Sequence, residues 1–149
     1  MTEHIIVPNI KNYTHKIIDG VLILTPKKIY ITKNELNMTN IKHSSIIGCV
    51  IKKGAENISK NTRYQSVLID IWKSMSTQKI LQTTTYKFKL NNDNYEKGYS
   101  WCNHINMLFQ SKDEKGTLNE IINMVKVNNM YINLSIQLET GRIINFKIE

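Results

Sequence analysis

The sequence predicts an α+β domain, a mostly antiparallel sheet with two helices packed on it, with residues 1–149 forming one unit. Three observations predict it. Residues 62–76 carry an apolar stripe of helical period. Residues 83–90, 132–138 and 144–148 alternate apolar and polar with period two. Turn-forming residues separate neighbouring strands by short connections, which antiparallel pairing permits and parallel pairing does not.

Taken in order, residues 16–24 are apolar but broken by Asp19-Gly20, giving a bulged strand or two short strands. Thr25-Pro26-Lys27-Lys28 has turn chemistry, with proline suited to the second position. Residues 29–32 resume as a strand, 33–40 form a polar connection, and 45–52 form a third strand, mostly apolar. In the first helix, Tyr64, Val67, Leu68, Ile71, Trp72 and Met75 fall on one face. Ser59, Asn61 and Thr62 stand ready to cap it, and Asp70 lies off the stripe, toward solvent. Residues 83–90 then predict a half-exposed strand, with Tyr86, Phe88 and Leu90 facing one way and Lys87 and Lys89 the other.

Asn91-Asn92-Asp93-Asn94 is a turn, and residues 99–110 hold one or two strands anchored by Trp101 and Phe109. Thr117-Leu118-Asn119-Glu120 matches a capping box, which opens a second helix over 117–127. The chain finishes in a hairpin: Ile132, Leu134, Ile136 and Leu138 alternate, Gly141 turns the chain, and Ile144, Phe146 and Ile148 alternate back.

The segment Gly20-Val21-Leu22-Ile23-Leu24-Thr25-Pro26-Lys27-Lys28-Ile29-Tyr30 resembles the opening hairpin of pleckstrin-like domains. The likeness covers 11 of 149 residues. A helix over 62–76 stands where that fold continues in strands, so no function or site is carried over.

Composition speaks to context. The chain holds 24 Ile, 18 Asn and 18 Lys against one Ala (Ala55) and two Arg (Arg63 and Arg142). The first three share A/T-rich codons, which predicts an A/T-rich genome of the kind carried by many large DNA viruses. The same bias accounts for part of the lysine excess. Cys49 and Cys102 are 53 positions apart with no metal-ligand spacing around them, which predicts reduced thiols in a cytoplasmic or intracellular setting, the host cytoplasm or virion for a viral protein. Residues 1–8 lack the basic and apolar regions of a signal peptide, and no apolar run reaches membrane-spanning length.

Catalytic and metal motifs do not emerge. Cys102 and His104 would share a strand face but have no third group to orient them. Asp113-Glu114-Lys115 has the letters of a nuclease cluster but sits in an expected polar loop. The six glycines form no phosphate loop, and the histidines are too scattered to nominate a metal site. No catalytic residue, metal ligand or cofactor is therefore predicted.

Charge is the remaining signal. Residues 1–90 carry 14 Lys/Arg against five Asp/Glu, whereas residues 91–149 are close to neutral. Lys27, Lys28, Lys52, Lys53, Lys87 and Lys89 would merge into a polyanion-binding surface if their strands were neighbours. The leading expectation is a non-enzymatic interaction or assembly module, with a protein partner or a homo-oligomer formed through open strand edges. A nucleic-acid-binding protein using the basic N-terminal half ranks second, and a small enzyme without a recognisable motif third.

Overall fold

The structure, a computed structural model, describes residues 13–26, 28–90 and 97–149. It is α+β, with antiparallel sheets. The chain divides into two compact units, residues 1–30 and 31–149, each taken by itself below.

In the first unit, strands β1 (Tyr13–Ile18) and β2 (Val21–Pro26) pair antiparallel from Tyr13 opposite Pro26 to Ile18 opposite Val21. Asp19 and Gly20 form the two-residue turn, with φ of +51° and +77°. Both values lie in the left-handed region that a type I′ turn demands, where Asp-Gly is a preferred pair. The break at Asp19-Gly20 is therefore a hairpin turn rather than a bulge. Residues 21–26 pair backward with β1, and residues 29–32 form no strand. In place of the expected strand, Ile31 N–H donates to the Asn145 carbonyl at 2.9 Å within the second unit.

Among its described residues, the second unit contains two sheets. Strands β3 (Ser45–Lys53), β4 (Glu56–Ser59), β8 (Tyr131–Gln137) and β9 (Ile143–Ile148) form one, in the order β4-β3-β8-β9. Strands β5 (Phe88–Leu90), β6 (Tyr99–Cys102) and β7 (Met107–Gln110) form the other, in the order β5-β7-β6. The helices are α1 (Lys33–Met38), α2 (Tyr64–Lys73), α3 (Thr77–Thr83) and α4 (Glu114–Val127).

Two of the four helices among the described residues correct the sequence expectation. Helix α1 replaces the expected polar connection: Thr32 and Glu35 make a reciprocal capping box, but only Leu36 is buried, so no apolar stripe announces the helix. Helix α3 occupies the start of the expected 83–90 strand, shortening it to three residues. Ser76 caps it, only Ile80 is buried, and Thr83 Oγ1 donates back to the Lys79 carbonyl at 2.6 Å. A threonine that satisfies its hydroxyl this way sits in a helix despite its β-branched shape.

Helix α4 starts three residues before the expected 117. Its cap is Asp113, whose side chain accepts from Gly116 N–H at 2.9 Å, so Glu114 belongs to the first turn rather than to a loop. A Cβ on Gly116 would stand 2.8 Å from Lys112 Cβ, so glycine leaves room for this entry. Thr117 Oγ1 donates to the Asp113 carbonyl at 2.8 Å instead of capping. In α2 the expected caps are also redirected: Ser59 and Asn61 donate to the Asp70 carboxylate, which is half-buried rather than solvent-facing.

Glu120, freed from the expected capping role, is fully buried. Its carboxylate accepts from Thr84 Oγ1, from Thr85 N–H and Oγ1, and from Asn123 Nδ2. These bonds tie α4 to the chain leaving α3. Charge-assisted bonds to a buried carboxylate are among the stronger polar contacts, and removing the acceptor strands its donors. Glu120→Ala is expected to destabilise the protein by about 2–4 kcal/mol, read from the shift of a chemical-denaturation midpoint.

One core joins the helices to both sheets. From α2, Val67, Leu68, Ile71 and Trp72 are buried. Ile121, Met124 and Val125 of α4 join them, as do Ile46 and Ile51 of β3, Ile132, Leu134 and Ile136 of β8, and Ile144 and Phe146 of β9.

Candidate functional site

The most unusual surface is the β1–β2 hairpin. Cross-strand pairing puts Ile17 opposite Leu22 on one face and Ile18 opposite Val21 on the other, both beside the turn. All four are exposed, from 43% at Ile18 to 69% at Ile17, and so is Ile23. Soluble hairpins normally turn one face to a core and leave the other polar. This one carries apolar side chains on both faces at its tip. Strand β2 has no charged residue, and β1 carries Lys16 and His15. Among the described residues, the sheet has only these two strands.

The six lysines singled out by charge are not gathered into one sheet. Lys27 lies outside the described residues, and Lys28 belongs to the first unit, its ammonium 5.9 Å from the Tyr30 ring centroid. Lys52 and Lys53 end β3, with Tyr131 opposite Lys52 and Glu56 opposite Lys53. Lys87 and Lys89 flank Phe88, whose ring meets Trp72 at 5.3 Å, so both lysines lie on the other face of the strand. Lys89 stands 4.1 Å from the Tyr99 ring centroid. Strand β3 neighbours β4 and β8, and β5 neighbours β7, so the condition for one merged basic sheet surface is not met.

Cys49 and Cys102 are buried and unbonded. Burial, with the nearby Asp70 charge adding to it, pushes the Cys49 thiol up to about 11, so it is protonated and unreactive at neutral pH. Strand β6 ends at Cys102, which places His104 in a turn rather than on a shared strand face. The His104 Nε2 meets the Met75 carbonyl at 2.6 Å and makes no hydrogen bond with Cys102. Among the described residues, no three His, Cys, Asp or Glu side chains are grouped to hold a metal, and no helix is long and apolar enough to cross a membrane.

A folded-state pKa raised in this way has a sign consequence. Below pH 9 Cys49 is protonated in both folded and unfolded chains; between about 9 and 11 only the unfolded chain loses the proton, so stability falls across that window. Tyr86, pushed up to about 12 chiefly by burial, extends the fall to higher pH. Melting temperature is expected to decline from pH 9 upward, and Cys49→Ala should flatten the first part of the decline.

Comparisons with known protein families, with curated proteins and with solved structures each find no match to this chain.

Proposed function

We propose that this protein is a homotypic assembly module, joined to a second copy of itself through strand β2. The observation that carries the proposal is the hairpin tip: Ile17, Ile18, Val21, Leu22 and Ile23 are exposed on a sheet that has two strands among the described residues, with no further strand on β2 among them. A lone two-stranded hairpin is marginally stable in water, and adding strands stabilises it. An open edge supplies the backbone donors and acceptors for that addition.

Charge favours a second copy as the occupant. The whole chain carries a net charge of +8, which opposes close approach of two copies. Strand β2, Val-Leu-Ile-Leu-Thr-Pro, has no charge to oppose itself. An antiparallel β2–β2 junction places apolar residues opposite apolar residues and makes a four-stranded sheet with two-fold symmetry. A reducing, intracellular setting and an A/T-rich genome accompany this reading, supported by the two unbonded cysteines and the Ile, Asn and Lys bias.

Light scattering coupled to gel filtration over a concentration series tests it. A dimer or larger species is expected, reverting to monomer when Leu22 and Ile23 are both changed to Lys. These side chains are exposed, so the body at 31–149 should melt unchanged. A monomer at every concentration sinks the proposal. The rival, a nucleic-acid-binding protein, predicts instead that the mass changes only when nucleic acid is added.

A further inference from the structure

Within the second unit, helices α1 and α4 line a cavity of about 400 Å³, with Lys33 of α1 and Lys115, Asn119, Asn123 and Lys126 of α4 around it and buried Ile122 beneath. The α4 residues recur at intervals of four, four and three, so they lie on one helix face. This stripe is polar because it faces neither the core nor open surface alone: it forms one wall of the cavity. Three lysines on one cavity form a concentration of like charge that natural surfaces ordinarily answer with carboxylates.

Here no carboxylate answers it. The lining includes no Asp or Glu, and among the described residues no acidic side chain lies within salt-bridge distance of these lysines. Along α4, Glu114 precedes Lys115 but does not line the cavity, and Glu120 has its oxygens committed to Thr84, Thr85 and Asn123. Lys115 is held in place by donating to the Asn37 carbonyl of α1, and Asn123 by donating to the Thr83 carbonyl at 3.0 Å. Contact with Lys33, and burial after it, lowers the Lys126 pKa from the usual lysine value. Lys126 also borders a second cavity, which it shares with Lys52 and Tyr131. Glu149 lines that second cavity as well and pairs with Lys147 at 2.9 Å, so the cavity without a lining carboxylate is the one between α1 and α4.

We propose that the α1–α4 cavity is a binding site for an oligophosphate anion. Three ammonium groups approach the charge of a di- or triphosphate, and the Asn119 amide lines the cavity beside them, whereas both Asn123 amide hydrogens are already donated to Thr83 and Glu120. The cavity volume falls in the range of small-ligand sites and exceeds the need of one phosphate ion. A polyanion seated between Lys33 and Lys126 would offset the repulsion between their like charges. This site is independent of the assembly reading, since none of its residues lies in the hairpin.

Isothermal titration calorimetry on the full chain tests the site, with tripolyphosphate, orthophosphate and sulfate at matched ionic strength, and with a short oligothymidylate. Tripolyphosphate is expected to bind at least about tenfold tighter than orthophosphate or sulfate. Changing Lys33 and Lys126 together to Gln should weaken it by at least about tenfold, while changing both to Arg should retain binding. Both side chains are exposed, and a thermal melt of each variant confirms that the fold persists. Equal binding of sulfate and tripolyphosphate overturns the proposal, as does binding indifferent to the Gln changes. Binding of oligothymidylate through these lysines without binding of tripolyphosphate also overturns it, because the site would then be a nucleic-acid backbone track.

Discussion

Changing Trp72 to alanine is expected to cost about 3–5 kcal/mol of stability, the range for removing a large aromatic side chain from a core. Trp72 is fully buried, and its ring meets those of Tyr86, Phe88 and Phe109 at 5.5, 5.3 and 5.2 Å, two of the contacts edge-to-face. It is the point at which α2 grips the three-stranded sheet. Its indole N–H is buried without a hydrogen-bond acceptor. Trp72→Phe therefore loses volume but sheds an unsatisfied donor, and is expected to cost well under half as much as alanine. Denaturant melts of both variants check the pair. A melt unaltered by Trp72→Ala would falsify the core assignment.

A larger effect is expected from truncation after Leu138. That removes β9, whose six residues pair with β8 from Ile143 opposite Gln137 to Ile148 opposite Ile132. Ile144 and Phe146 leave the core with it, and the Ile31 N–H loses its acceptor at Asn145. Strand β8 then becomes an edge, with its buried Ile132, Leu134 and Ile136 bared along one side. The 1–138 fragment is expected to show no cooperative unfolding transition by circular dichroism. A fragment that melts cooperatively near the temperature of the full chain contradicts the placement of β9 as integral to the sheet.

The parts of the fold legible in the sequence share one property: a long, clean period. The α2 stripe and the β8–β9 hairpin each bury one complete face, so their side chains record the geometry directly. Elements that bury one residue leave no such record. Helix α1 buries Leu36 and α3 buries Ile80, and both are held by caps whose residues, Thr32 and Ser76, also suit turns. The short strand β4 has one buried residue, Ser59, and went unanticipated for the same reason. The misplaced capping box had a different cause. Thr117 and Glu120 have the right spacing, but tertiary partners, the Asp113 carbonyl and the Thr84–Thr85 segment, outcompete the local arrangement.

Sites follow the same logic. Sequence proximity selected lysine pairs such as Lys52 and Lys53, which alternate across a strand and cannot act together on one face. The cavity lysines, Lys33, Lys115 and Lys126, are dispersed over two helices, and only folding brings them together. A spacing signal did exist on α4, in the polar recurrence Lys115, Asn119, Asn123 and Lys126, but its partner helix was not anticipated. The apolar run 21–24 was visible, but not that both faces of its hairpin would be exposed.

Disulfide trapping gives the most direct test of β2-mediated assembly. Single changes of Leu22, Ile23 and Leu24 to Cys place a thiol along β2, and Lys16→Cys places one on β1 as a control. In an antiparallel β2–β2 junction, Cα atoms of facing residues at the two-fold axis lie about 4.5–5.5 Å apart, within disulfide reach. The two β1 strands lie three strand spacings apart, about 14 Å, beyond it. Under mild oxidation, at least one β2 variant is predicted to run as a covalent dimer on a non-reducing gel while Lys16→Cys remains a monomer. Monomers for all four variants, or equal cross-linking of Lys16→Cys, would contradict the assembly account.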